Sequence, residues 1–145
     1  MTSASETTIN TKFGFSLYEV IVVMVIIAIV SAISILNYNA WIPKIRLNGA
    51  AHQVMSDLVA ARMSSVKENV SVVVRYLNNH SYSVTVGSKP ASIKDLQPDY
   101  PGTVLSFTSV LFSSRGTTSP RTLTLQNSSG IKKITIAITG RVKIN

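Results

Sequence analysis

From Val20 to Leu36 every residue is apolar except Ser31 and Ser34. With Phe15 and Leu17 just ahead, the run approaches the roughly 20 residues a helix needs to cross a bilayer. Its many β-branched residues would suit a buried strand, but strands usually run only about 4–8 residues. A helix that is apolar on every side must be surrounded by lipid or by protein. The expectation is therefore a helix over 15–36 that lies in a membrane or in the core of an assembly.

Glu19 stands at the head of this run. A carboxylate near the middle of a bilayer costs about 2.5–3.5 kcal/mol on insertion scales, so such residues are usually paired and functional. Placed instead at headgroup level, Glu19 would cost little, and its position alone leaves both readings open. An ordinary secretory signal competes for the segment, with Ala32-Ile-Ser34 as a small-x-small cleavage site. Such signals begin with clear positive charge, whereas residues 1–14 hold only Lys12 against Glu6.

The stretch Lys12-Phe13-Gly14-Phe15-Ser16-Leu17-Tyr18-Glu19-Val20 resembles the class III prepilin signal. That pattern has Gly before the cut, an aromatic residue after it, and Glu five residues into the mature chain. Tyr18 replaces the usual aliphatic residue. The resemblance implies a leader over 1–14, cleavage between Gly14 and Phe15 by prepilin peptidase, and N-methylation of Phe15 by the same enzyme. It also implies that Glu19 pairs with the N-terminal amine of a neighbouring pilin or pseudopilin subunit. The physical logic is sound, because cleavage creates a cation one helical turn from Glu19. In apolar surroundings a lone charge is costly, so mating amine to carboxylate fixes the register of subunits.

Beyond Leu36 the pattern changes. Tyr38 and Trp41 stand where an aromatic interface belt would lie, with Lys44 and Arg46 following. Pro43 removes one helical hydrogen bond and predicts a kink or local loosening. From Ile45 to Lys67 the apolar residues Leu47, Ala51, Val54, Met55, Leu58, Ala61 and Val66 recur mostly at three- and four-residue spacing. This predicts an amphipathic extension over 37–69, ended by Asn69 as a left-handed cap.

After Asn69 the residues favour strands. Val70–Tyr76 is β-branched and Ser81–Val86 alternates, with Asn78-Asn79 as the turn between them. Residues 87–102 read as loop, with a short helical turn over Ile93–Leu96. Strands are expected at about 103–112 and 121–126. Asn127–Gly130 is a turn, and Ile134, Ile136 and Ile138 alternate with Thr135, Ala137 and Thr139. A long helix followed by an antiparallel sheet is an α+β arrangement, with a β-rich head over 70–145.

Two later stretches narrow the resemblance. Asp57-Leu-Val-Ala-Ala-Arg62-Met-Ser-Ser-Val-Lys67-Glu-Asn69-Val-Ser-Val-Val is similar to the ARxxAxxxNxxV pattern of the GspH/FimT minor pilins and pseudopilins. Leu111-Phe-Ser-Ser-Arg115-Gly116, Thr122-Leu-Thr-Leu and Gly140-Arg-Val-Lys-Ile144 resemble that family's C-terminal half. The resemblance implies a non-enzymatic subunit that begins as a single-pass protein of the bacterial inner membrane. It then joins a pilus or pseudopilus in the periplasm or at the cell surface. A minor type IV pilin and a minor pseudopilin of type II secretion share this fold and signal.

Charge bears on which of these it is. The chain has 14 Lys+Arg against 6 Asp+Glu, a net charge of +8. No acid follows Asp99, while Arg115, Arg121, Lys132, Lys133, Arg141 and Lys143 do. A one-signed tail favours anionic partners such as nucleic acid, acidic lipid or an acidic protein face, or serves as a solvated basic face. Some members of the FimT branch bind DNA through a C-terminal Gly-Arg-x-Arg motif with nearby basic residues, and this chain has Gly140-Arg141-Val142-Lys143. Lys keeps the charge but loses the planar fork that grips phosphate. If the last strand runs through Gly140, then Lys133, Arg141 and Lys143 face one way; if Gly140 is a turn, Arg141 and Lys143 still do. The competing reading is a basic edge strand that suppresses aggregation.

Cysteine is absent, which excludes disulfides and thiolate chemistry. His52 and His80 each stand alone, without the neighbours a metal site or a base would need. The sequence offers no nucleophile–base pair, no paired carboxylates in a polar loop and no glycine-rich phosphate loop. The expectation is no enzymatic activity and no cofactor.

Overall fold

The computed structural model describes residues 14–145, with the side chains of 33–40 outside the described residues. The chain divides into two compact units, one through Asn37 and one from Tyr38 onward. Helix α1 (Leu17–Lys67) contributes to both.

In the first unit Ser16 precedes the helix, and its carbonyl accepts the first intrahelical bond from Val20 N at 3.2 Å. Serine favours this cap position. Glu19 follows in the first turn, where the helix dipole favours an acid. Every described side chain from Phe15 to Ala32 is exposed. Ser31 fits the apolar run because its hydroxyl donates back to the Ile27 carbonyl at 2.7 Å. Among the described residues no helix is long and apolar enough to cross a membrane. The span expected over 15–36 takes in residues 33–36, which lie outside the described side chains, as does Tyr38.

In the second unit α1 buries a stripe of Leu47, Ala50, Ala51, Val54, Leu58, Ala61 and Ser65. The small residues let backbone and sheet approach closely, and each fully buried Leu or Val contributes about 1.5–3 kcal/mol. Val66, expected on this stripe, is 53% exposed, and Ser65 takes its place. The period of 3.6 residues puts 58, 61 and 65 on one face and turns 66 away from it. The Ser65 hydroxyl is satisfied by donation to the Arg62 carbonyl at 2.7 Å. Asn69 has φ +52°, the left-handed conformation expected of the cap.

Eight strands follow: β1 (Val72–Asn78), β2 (Ser81–Val86), β3 (Ser92–Asp95), β4 (Val104–Ser106), β5 (Val110–Phe112), β6 (Arg121–Asn127), β7 (Gly130–Ile136) and β8 (Val142–Ile144). They form two four-stranded antiparallel sheets, ordered β3-β2-β1-β5 and β4-β6-β7-β8. The fold is α+β. Val72, Val74, Tyr82, Val110 and Phe112 of one sheet and Leu105, Leu123, Leu125, Ile134 and Ile136 of the other complete the core.

Two local expectations are corrected. Ile93 to Leu96 is no helical turn: residues 92–95 form β3 against β2, and only Leu96 of the stretch is buried. The β2 edge offers unpaired backbone groups, and strand pairing satisfies more of them than an isolated turn would. Ile138 does not continue the alternation of Ile134 and Ile136. β7 ends at Ile136, and Ile138 is 64% exposed.

Candidate functional site

The amino-terminal site is simple. Gly14 and Phe15 precede α1, and Phe15 lines one shallow hollow together with Glu19, Val20 and Val23 of the first turns. Phe15 is 83% exposed, and Glu19 has no ion pair among the described residues. An amine formed at Phe15 would carry a cation at the edge of an exposed apolar helix, with the carboxylate one turn further on.

The second site is a basic face on the β4-β6-β7-β8 sheet. Gly140 is a turn, with φ +77°, so the last strand does not run through it. Lys133 N and Asn145 O, and Asn145 N and Lys133 O, bond at 3.2 and 2.8 Å, while Ala137 N donates to Arg141 O at 2.9 Å. With Thr135 opposite Lys143, this register sets Lys133, Thr135 and Ala137 across from Asn145, Lys143 and Arg141. Residues directly opposite share a face. Arg141 and Lys143 stand about 7 Å apart along their strand, and Lys133 lies on the diagonal from Lys143 at about 7–8 Å. All three are exposed, and no acid pairs with them among the described residues. A shallow hollow of about 330 Å³ lies between Thr135, Ala137, Arg141, Lys143 and Asn145.

The other basic residues lie elsewhere. Lys132 opposes Leu125 and points to the opposite side of β7 from Lys133. Arg115 is exposed in the loop after β5, and Arg121 borders a separate cleft. The face therefore holds Lys133, Arg141 and Lys143, and leaves out Lys132, Arg121 and Arg115.

Sequence reasoning assigned no role to Arg62, although it is the Arg of the ARxxAxxxNxxV pattern. Its Nε donates to the Gly116 carbonyl at 3.2 Å. A Cβ on Gly140 would run into the Gly116 carbonyl and the Arg62 side chain, and one on Gly116 would meet Val66 at 2.9 Å and press on Arg62 at 3.3 Å. Arg62, Gly116 and Gly140 thus bring the helix end, the loop after β5 and the turn before β8 to one point, directly before Arg141.

A profile for type II transport protein GspH matches residues 50–140. The chain belongs to the GspH family. A second profile, the prokaryotic N-terminal methylation motif, matches residues 9–35, which include Gly14, Phe15 and Glu19. That motif marks this GspH-family protein as a membrane-anchored subunit of the pilin and pseudopilin class. No curated protein matches it. Two crystal forms of the type IV minor pilin FimU of Pseudomonas aeruginosa share its fold. One gives a TM-score of 0.60 at 17% identity over 70% of this chain and 90% of FimU. The other gives 0.57 at 18% identity over 68% and 92%.

Proposed function

We propose that this GspH-family protein is a minor type IV pilin. It is cut between Gly14 and Phe15 by prepilin peptidase and N-methylated at Phe15. It is held in the bacterial inner membrane as a single-pass protein and then assembled into, or primes, a pilus fibre. Glu19 receives the amine of a neighbouring subunit. The observation that carries this reading is the exposed apolar surface of α1 from Leu17 to Val30, with exposed Phe15 just ahead of it and one carboxylate at its head. Such a helix is soluble only inside a membrane or among other helices.

Non-specific DNA binding on Lys133, Arg141 and Lys143 is the finer part of the proposal. Adjacent cations on one sheet face, with no acid paired to them among the described residues, suit a phosphate backbone and would act independently of sequence. The second reading, a minor pseudopilin of type II secretion, is favoured by the family's description as a type II transport protein.

The test is the composition of sheared surface fibres. In cells carrying the full chain, fibres should contain it with N-methylated Phe15 at its start, read by mass spectrometry. Glu19→Ala should leave cleavage intact and remove the protein from fibres. Fibres without the protein, together with loss of exoprotein secretion in its absence, would move the assignment to the pseudopilus.

A further inference from the structure

The register of the first sheet leaves one edge open. Gly87 N donates to the Ser71 carbonyl at 2.9 Å, so Ser71, Val73 and Arg75 turn their backbone groups toward β2. Val72 and Val74 then turn theirs toward β5, where they oppose Phe112 and Val110. Leu111, between those two, must turn its N–H and C=O away from β1. Ser113 has the same parity and confirms it: its N–H donates to Thr117 O and its carbonyl accepts from Gly116 N, both at 2.8 Å. No backbone partner reaches Leu111 among the described residues.

Other edges are guarded. β3 carries Lys94 and Asp95, and β8 carries Lys143 with Arg141 beside it, charges of the kind that deter strand addition. β4 is tied on its far side, where Leu105 N donates to the Asn79 carbonyl at 2.7 Å. β5 has no charged residue. Beside it lies a cleft of about 500 Å³, bounded by the chain at 117–121. That volume falls within the roughly 300–1,000 Å³ of ligand sites. Leu111 and Ile138 give it apolar ground at 56% and 64% exposure, Ser109 and Ser119 add hydroxyls, and Arg121 is the one charge among its lining residues.

We propose that the β5 edge and this cleft bind an extended, acidic segment of another polypeptide, which pairs with Leu111 as an added strand and places a carboxylate against Arg121. Main-chain bonds supply affinity in strand addition, and side chains set specificity. The carboxylate is implied by Arg121, which has no acid near it in the cleft and matches that planar group. A second copy is the poorer occupant, because the chain carries +8 and would repel itself. The inference holds for a pilus or a pseudopilus alike.

The test uses the full chain in detergent micelles and a blocked six-residue peptide of alternating valine and threonine with one central glutamate. Saturable binding is expected, with the Leu111 amide among those shifted by NMR. Leu111→Pro removes the outward N–H without touching the ladder to β1. It should weaken binding about tenfold or more, while Leu111→Ala stays within about threefold. The wild type should prefer the glutamate peptide to its glutamine analogue, and Arg121→Gln should abolish that preference. Should Leu111→Pro fail to fold, peptides N-methylated at alternate positions replace it, and one set should lose binding. Failure of the wild type to bind overturns the proposal. So does undiminished binding by Leu111→Pro or by both methylated peptides, or a glutamate preference that survives Arg121→Gln. Dimerisation that depends on Leu111, without peptide binding, would give the edge to a second copy and also overturn it.

Discussion

Arg62 Nε donates a 3.2 Å hydrogen bond to the Gly116 carbonyl across 54 positions of sequence. The guanidinium stem lies over Gly116 and Gly140 alike, and a Cβ on Gly140 would come within 2.6 Å of that same Nε. The helix end, the loop after β5 and the turn before β8 are thereby held together. Because Arg141 directly follows Gly140, this contact also sets where the basic face begins.

Gly140→Ala should therefore be costly. Its φ of +77° disfavours any side chain, and the added methyl meets the Gly116 carbonyl and Arg62. A loss of about 2–3 kcal/mol is expected, read as a fall of roughly 10 °C or more in the melting temperature of the full chain in detergent. Arg62→Ala should cost less, about 1–2 kcal/mol, since it frees space while leaving one carbonyl unpaired.

Asn127 ties the β6–β7 turn to the helix. Its Nδ2 donates to the Pro43 carbonyl at 2.6 Å, and its Oδ1 accepts from Ser129 N at 2.8 Å and Ser129 Oγ at 2.7 Å. Asn127→Asp keeps the acceptors and loses the donor, so it should cost about 1 kcal/mol in chemical unfolding. Asn127→Ala loses both and should cost about 2 kcal/mol. Equal stability of the two variants would show that the Pro43 contact alone carries the effect.

Tyr82 predicts how stability responds to alkali. Burial raises its phenol well above the ordinary value of 10.0, and the hydrogen bond of its hydroxyl to Asp57 Oδ2 raises it further. In the unfolded chain the phenol ionises near 10, whereas in the folded chain it stays protonated. Its contribution is thus complete below pH 10 and is lost as pH rises beyond it, by about 1.4 kcal/mol per pH unit. Denaturant midpoints between pH 8 and 11 should show this fall, and Tyr82→Phe should flatten it. The same slope in Tyr82→Phe would assign the effect to another group.

DNA binding is tested by gel shift of the full chain in detergent over a salt series. The expected outcome is a sequence-independent shift that weakens with salt. Arg141→Ala/Lys143→Ala should lower the log–log salt slope by about 1–2, and Arg115→Ala and Lys132→Ala should leave it nearly unchanged. No shift at low salt would leave β8 as a guarded edge strand.

Sequence alone determined the features that local rules govern. The apolar run, the Asn69 cap, the Asn127–Gly130 turn and the presence of a strand over Ser81–Val86 depend on period and on nearest neighbours, so each was legible in residue order. The first hairpin turn falls one residue later than expected, on Asn79-His80, and burial along β2 runs in two blocks instead of alternating. Which strands share a sheet was not. β4 and β5 are nearly adjacent in the chain yet enter different sheets, and β3 is a strand only because β2 offers it an edge. The basic residues show the same division. Their sign and number are fixed by composition, but the Gly140 turn and the β7–β8 register bring Lys133 to Arg141 and Lys143 and send Lys132 to the other side. Alternation places a side chain up or down on its own strand. Only hydrogen-bond pairing between distant segments decides which strands lie side by side, and so which charges meet.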